Sequence, residues 1–182
     1  MQVESRTGLD ILRERTIVDC DTLDEQVVKI FGPIQDCTSN QAELSKPENG
    51  NLIKGPYSDA NELSPRFPNV GDELYIEITI VKLATMVVPR IDGHIHIQTN
   101  LDHAYDTQKT IANGSSIVQI FDILLPIDAT RICNKVPSTW EGLMACRTLK
   151  IAGVRALVPP RCSRLSRQFS QSKLDVRILR HT

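Results

Sequence analysis

The stretch Arg131-Ile132-Cys133-Asn134-Lys135-Val136-Pro137-Ser138-Thr139-Trp140-Glu141-Gly142 decides the fold. Its first seven residues hold Ile132, Cys133 and Val136 around Asn134 and Lys135 and close on a proline, which reads as a strand over 131–137. Ser138 or Thr139 then caps a helix running through Glu141, Leu143, Cys146 and Leu149. Gly153 ends that helix, and Val154 to Val158 supply another strand. Working backwards, Asp106 or Thr107 caps a helix to about Leu124, and before it His94-Ile95-His96-Ile97-Gln98 alternates as a strand. Leu74, Ile78, Val81 and Met86 fit a helix from Asp72 to about Val88, stopped by Pro89, although the β-branched run Tyr75 to Val81 leaves a strand open. Leu9 to Arg15 forms a short helix leading into Thr16 to Asp21, expected as a buried strand. Asp24 to Phe31 is a helix stopped by Gly32-Pro33, and Ile34 to Thr38 is the next strand.

Strand and helix therefore alternate, the pattern of a parallel α/β fold, with a (β/α) barrel favoured over an open sheet. About five strands are recognisable, where a complete TIM (β/α)8 barrel has eight in roughly 250 residues. The expectation is a partial barrel over residues 1–158. Two segments break the pattern. Residues 44–70 hold Pro47, Gly50, Gly55, Pro56, Pro65 and Pro68 among polar residues and read as a loop or poorly ordered insert. Residues 159–182 read as a divergent basic tail with Arg161, Arg164, Arg167, Lys173, Arg177 and Arg180 against the single acid Asp175.

Composition excludes several classes. Of 182 residues, 41% are hydrophobic, enough for one buried core. A formal net charge of −1 lacks the basic excess that nucleic acid or acidic membrane selects. No apolar run reaches the roughly 18–20 residues of a membrane span, and Met1 to Arg6 lacks the pattern of a secretory signal. A cytoplasmic protein with neither nucleic-acid nor membrane partner is expected; association with further copies of itself stays open. The five cysteines, Cys20, Cys37, Cys133, Cys146 and Cys162, are odd in number and widely spaced, so they read as structural thiols. His94 and His96 share one strand face near His103, but no motif places a third ligand, so no metal is expected and a surface or loop role is assigned to them. Trp140 reads as a packing residue of the helix start.

Barrel folds keep their chemistry at the C-terminal ends of the strands. The polar residues there are Asp21, Thr38 and Asn40, Gln98, and Lys135. A lysine inside an apolar strand loses hydration, its pKa falls, and its neutral amine can attack a carbonyl to form a Schiff base. Asp21 is placed to shuttle protons. From periodicity alone, a purely structural lysine is the commoner outcome.

Three segments in order, Leu12 to Thr22, Asp36-Cys37-Thr38-Ser39-Asn40 and Lys135 to Gly142, resemble the N-terminal signatures of transaldolases. Tyr105-Asp106-Thr107 with Ile111-Ala112-Asn113 resembles the helix that follows the third strand in that family. The resemblance implies Lys135 as the Schiff-base lysine and Asp21 as the acid that assists proton transfer and carbon–carbon cleavage. It implies substrate contacts from Thr38, Asn40, Gln98, Ser138 and Thr139. The implied reaction is a pentose-phosphate-pathway step that moves a dihydroxyacetone unit between sugar phosphates without metal or organic cofactor. Two departures stand out: Gln98 occupies the place of a glutamate, and Pro159-Pro160 that of a fifth-strand threonine. Glutamine can orient water but cannot take its proton. The alternative implied is an inactive homologue acting, if at all, as an interaction module through an exposed half-barrel face.

Overall fold

The computed structural model of the protein describes residues 6–40, 44, 56–68, 71 and 73–159. The expected basic tail, beyond Pro159, lies outside the described residues. Four strands form one parallel sheet in chain order: β1 (Cys37–Thr38), β2 (Ile95–Gln98), β3 (Ile132–Lys135) and β4 (Ala156–Leu157). Parallel neighbours in sequence order are what successive right-handed β–α–β crossovers lay down, and they form a segment of barrel wall. The crossovers carry α3 (Pro56–Leu63), α4 (Glu73–Val87), α5 (Thr107–Leu124) and α6 (Trp140–Ile151), preceded by α1 (Gly8–Arg13) and α2 (Glu25–Phe31).

Local chemistry sets the helix ends. Asp106 accepts from Lys109 N–H to cap α5, and Thr139 accepts from Gly142 N–H to cap α6. Gly153, at φ +80°, supplies the left-handed residue that turns the chain back to β4. In α4 the residues Leu74, Ile78, Val81, Ala84 and Val87 are buried against the sheet side, at helical spacing. The strand alternative over 75–81 is thereby excluded. The larger core joins α4 and α5 to Ile95, Ile97 and Ile132; a smaller one gathers Val136, Leu143, Cys146, Leu149 and Val158 around α6. No helix among the described residues is long and apolar enough to cross a membrane.

Two expectations need correction. Residues 16–21 are not a buried strand but a frayed edge, joined to β1 by the single parallel bridge of Cys20 with Cys37, and Ile17 is 72% exposed. The edge is still hydrogen-bonded on that side, with Cys20 N–H donating to Asp36 O at 2.9 Å and Thr38 N–H to Cys20 O at 2.8 Å. The proline-rich segment 44–70 is not wholly loop, because α3 and a 3-10 turn at Ser64–Arg66 lie within it, and Leu63 and Phe67 reach the core. Pro56 starts a helix and Pro65 sits in the first residues of the turn, positions whose N–H has no intrahelical partner anyway. Proline count alone misread them.

Candidate active site

Successive strand residues point to opposite faces. On β3, Asn134 turns to the helices and Lys135 to the inner face of the wall. Asn134 is fully buried and its Nδ2 donates to Gly114 O at 3.1 Å and Arg155 O at 3.4 Å, tying β3 to α5 and to the approach of β4. Lys135 Nζ donates to Thr38 Oγ1 at 3.1 Å. β2 lies between these residues, so the lysine reaches across two strand spacings, about 10 Å. Half-burial lowers its pKa from the ordinary lysine value, and the charge of Asp21 partly opposes that shift. Asp21 follows the Cys20 bridge on the frayed edge and is exposed.

Register fixes the remaining groups. Gln98 is the direct partner of Lys135 across the β2–β3 ladder. Thr99 N–H donates to Lys135 O at 3.0 Å, so the lysine's own backbone is held by the residue after Gln98. Asn40 lies two residues beyond β1, half-buried. Ser138 Oγ donates to Pro159 O at 3.0 Å and Thr139 Oγ1 to Ala104 O, so both hydroxyl protons are engaged by backbone carbonyls, and the Thr139 oxygen also accepts from Gly142 N–H at 3.0 Å. The parallel sheet thus gathers Asp21, Thr38, Asn40, Gln98 and Lys135 at one end of the strands. Ser138 and Thr139 serve the turn into α6. That turn is tight, since a Cβ on Gly142 would lie 2.1 Å from Pro137 O.

The other end of the inner face is closed by polar bonds. Asp36 accepts from His94 N–H at 2.8 Å and its Oδ2 pairs with His96 Nε2 at 3.0 Å. Burial opposes ionisation of Asp36, but the His94 amide and the His96 ring outweigh it and hold the carboxyl below its ordinary value. Burial also pushes the His96 imidazole down. His96 is 6% exposed, which corrects the surface role expected for it. Trp140, at 54% exposure, likewise is not buried packing. Cys37, Cys133 and Cys146 are buried, and burial raises the Cys146 thiol to about 11, far from a reactive thiolate.

The sequence reading missed Thr99, Asn134's anchoring bonds and a buried acid, Glu77, on α4. Glu77 is the one charged residue in the largely apolar run Leu74 to Val81, at a position the helical period buries, and that was the available signal.

A parallel β/α wall with a half-buried lysine at its C-terminal mouth defines an α/β protein of the partial-barrel class. A family model for transaldolase/fructose-6-phosphate aldolase matches residues 18–158, well over half of the chain. The chain belongs to that family.

Proposed function

We propose that the protein transfers a dihydroxyacetone unit between sugar phosphates through a Schiff base on Lys135, in the cytoplasm and as part of pentose-phosphate metabolism. The observation that carries this reading is the lysine itself: desolvated, held by one hydroxyl from Thr38, and within the field of Asp21. The neutral amine adds to the ketose carbonyl, and loss of water from the carbinolamine leaves an iminium. Asp21 takes the proton of the hydroxyl on the carbon being released as the adjacent carbon–carbon bond breaks into the iminium, giving an aldehyde and a lysine-bound enamine. The enamine attacks an acceptor aldehyde, Asp21 returns the proton, and water releases the new ketose. Thr38, Asn40 and Gln98 face the substrate hydroxyls; Ser138 and Thr139 offer acceptors at the turn. Gln98 orients water without accepting its proton, which favours release of the aldehyde and slow turnover of the enamine.

Borohydride trapping with fructose 6-phosphate tests the proposal. A covalent adduct that maps to Lys135 and is absent from Lys135→Ala supports it; a folded wild type that gives no adduct ends it. A second reading, a non-catalytic interaction module, draws on the exposed Ile17, Ile30 and Phe31 along the frayed edge and α2. The same trapping experiment separates the two.

A further inference from the structure

We propose that Glu77 is a positioning residue for the mouth of the strands, acting through Asn113 on the backbone of Asn100. Its carboxyl is 5% exposed and receives two side-chain donors from α5, Asn113 Nδ2 at one oxygen and Ser116 Oγ at the other. The opposite end of the same amide, Asn113 Oδ1, accepts the Asn100 N–H at 2.9 Å. Asn100 in turn caps the turn Leu101–His103 by accepting from Asp102 N–H at 3.0 Å. The relay therefore runs from α4 through α5 to the segment Gln98-Thr99-Asn100. One end of that segment is in register with Lys135, and its middle donates to the Lys135 carbonyl. Glu73, Glu77, Gln98, Asn100 and Asn113 line one shallow cleft at this end of the sheet.

A carboxyl in this position is a poor choice for stability alone, since an apolar side chain of similar volume would avoid its desolvation. What it adds is a second state. The ionised carboxylate is the stronger acceptor and polarises the Asn113 amide, which makes Oδ1 a better acceptor for Asn100. The neutral acid relaxes that pull. Burial, against the two donors, raises Glu77 to about 7, so both states are accessible near neutrality. The charged group bearing on it is Glu73, one turn earlier on α4, whose Oε1 in turn pairs with Nε2 of His103 at 3.1 Å. From α5 the neutral side chains of Asn113 and Ser116 donate to it.

The catalytic consequence rests on the lysine chemistry proposed above; the coupling itself does not. The experiment follows the Asn100 backbone amide by NMR across neutral pH in wild type and in Glu77→Gln, with cooperative melting as the check on folding. The amide is expected to shift with a midpoint near 7 in wild type and to lose that transition in Glu77→Gln. A folded wild type whose Asn100 amide ignores pH in this range, or an unchanged transition in the variant, overturns the proposal. In parallel, the rate of borohydride trapping in wild type relative to Glu77→Gln is expected to change through the same midpoint. Comparing the two proteins cancels the titration of Lys135 itself. Asn113→Ala is expected to slow trapping roughly 10-fold, as a misplaced mouth does. A flat ratio alongside a titrating amide overturns the positioning role. Absence of any adduct with the amide titration intact ends the lysine reading and leaves the coupling standing.

Discussion

The two ends of the inner face are built on opposite terms. At the base, Asp36 is bound by the His94 amide and the His96 ring, and Arg131 donates to the carbonyls of Gly93 at 3.0 Å, Val88 at 3.2 Å and Ile91 at 2.7 Å. At the mouth, the Lys135 ammonium makes one hydrogen bond, to Thr38, and Asp21 stands exposed on a frayed edge. At the base a carboxylate, an imidazole and a guanidinium are tied to one another or to backbone, whereas at the mouth the lysine is held by one hydroxyl. Few partners favour a neutral amine, because each hydrogen bond the ammonium donates stabilises its charged form. The contrast separates residues that hold the wall from residues gathered at its rim.

Substitutions at the two ends should therefore part stability from chemistry. The largest effect is expected from Lys135→Ala, which abolishes the borohydride adduct while the melting temperature, followed by circular dichroism, holds or rises. Arg131→Ala should do the reverse, lowering unfolding free energy by about 3 kcal/mol in urea titration as three carbonyls lose their donor. Asp36→Ala should cost about 2 kcal/mol in the same measurement, because His96 is left buried without its carboxylate. If Asp36→Ala instead removes the adduct from a protein of unchanged stability, the division between the two ends is wrong. Smallest of all, Thr38→Val should leave unfolding free energy within about 0.5 kcal/mol and slow trapping several-fold.

The ends also differ in the sign of their pH dependence. Glu77, near the mouth, has a folded pKa raised to about 7 from 4.5, so its contribution to stability is complete below 4.5 and is lost as pH rises through 7. Asp36 and His96, at the base, have folded values depressed from 3.8 and 6.5. Their contributions are present above those ordinary values and are lost as pH falls through the folded ones. Glu77→Gln should accordingly gain roughly 2 kcal/mol over wild type in mildly alkaline buffer and nothing in acid near 4.5, measured by denaturant titration at each pH. A gain of equal size at both would show that the effect is packing and not ionisation.

Much of the wall was legible from residues alone. The helices at 73–87, 107–124 and 140–151 and the strands around Ile95–Gln98 and Ile132–Lys135 follow from apolar period, capping residues and glycine stops. That Lys135, Asp21, Thr38 and Gln98 lie near one another follows from parallel strands placing their ends together, a consequence of topology. The exposed 16–21 edge was misread, since a β-branched run looks the same with one neighbour as with two. The helix at Pro56–Leu63 was hidden because proline is as welcome at a first helical turn as in a loop. Glu77 and His96 were passed over for a different reason: their roles depend on Asn113 and Asp36, partners 36 and 60 residues distant along the chain. Local pattern carries no information about contacts of that separation.

The close approach at Gly142 has a consequence for how this family member tolerates change. A side chain there would have to push Pro137 aside, and Pro137 is only two residues downstream of Lys135. Hydrogen is thus the one substituent that lets helix and strand meet without skewing the lysine's bearing. On the lysine chemistry proposed above, a library that randomises position 142 would recover glycine among the clones that give a borohydride adduct, although position 142 lies outside the proposed substrate contacts.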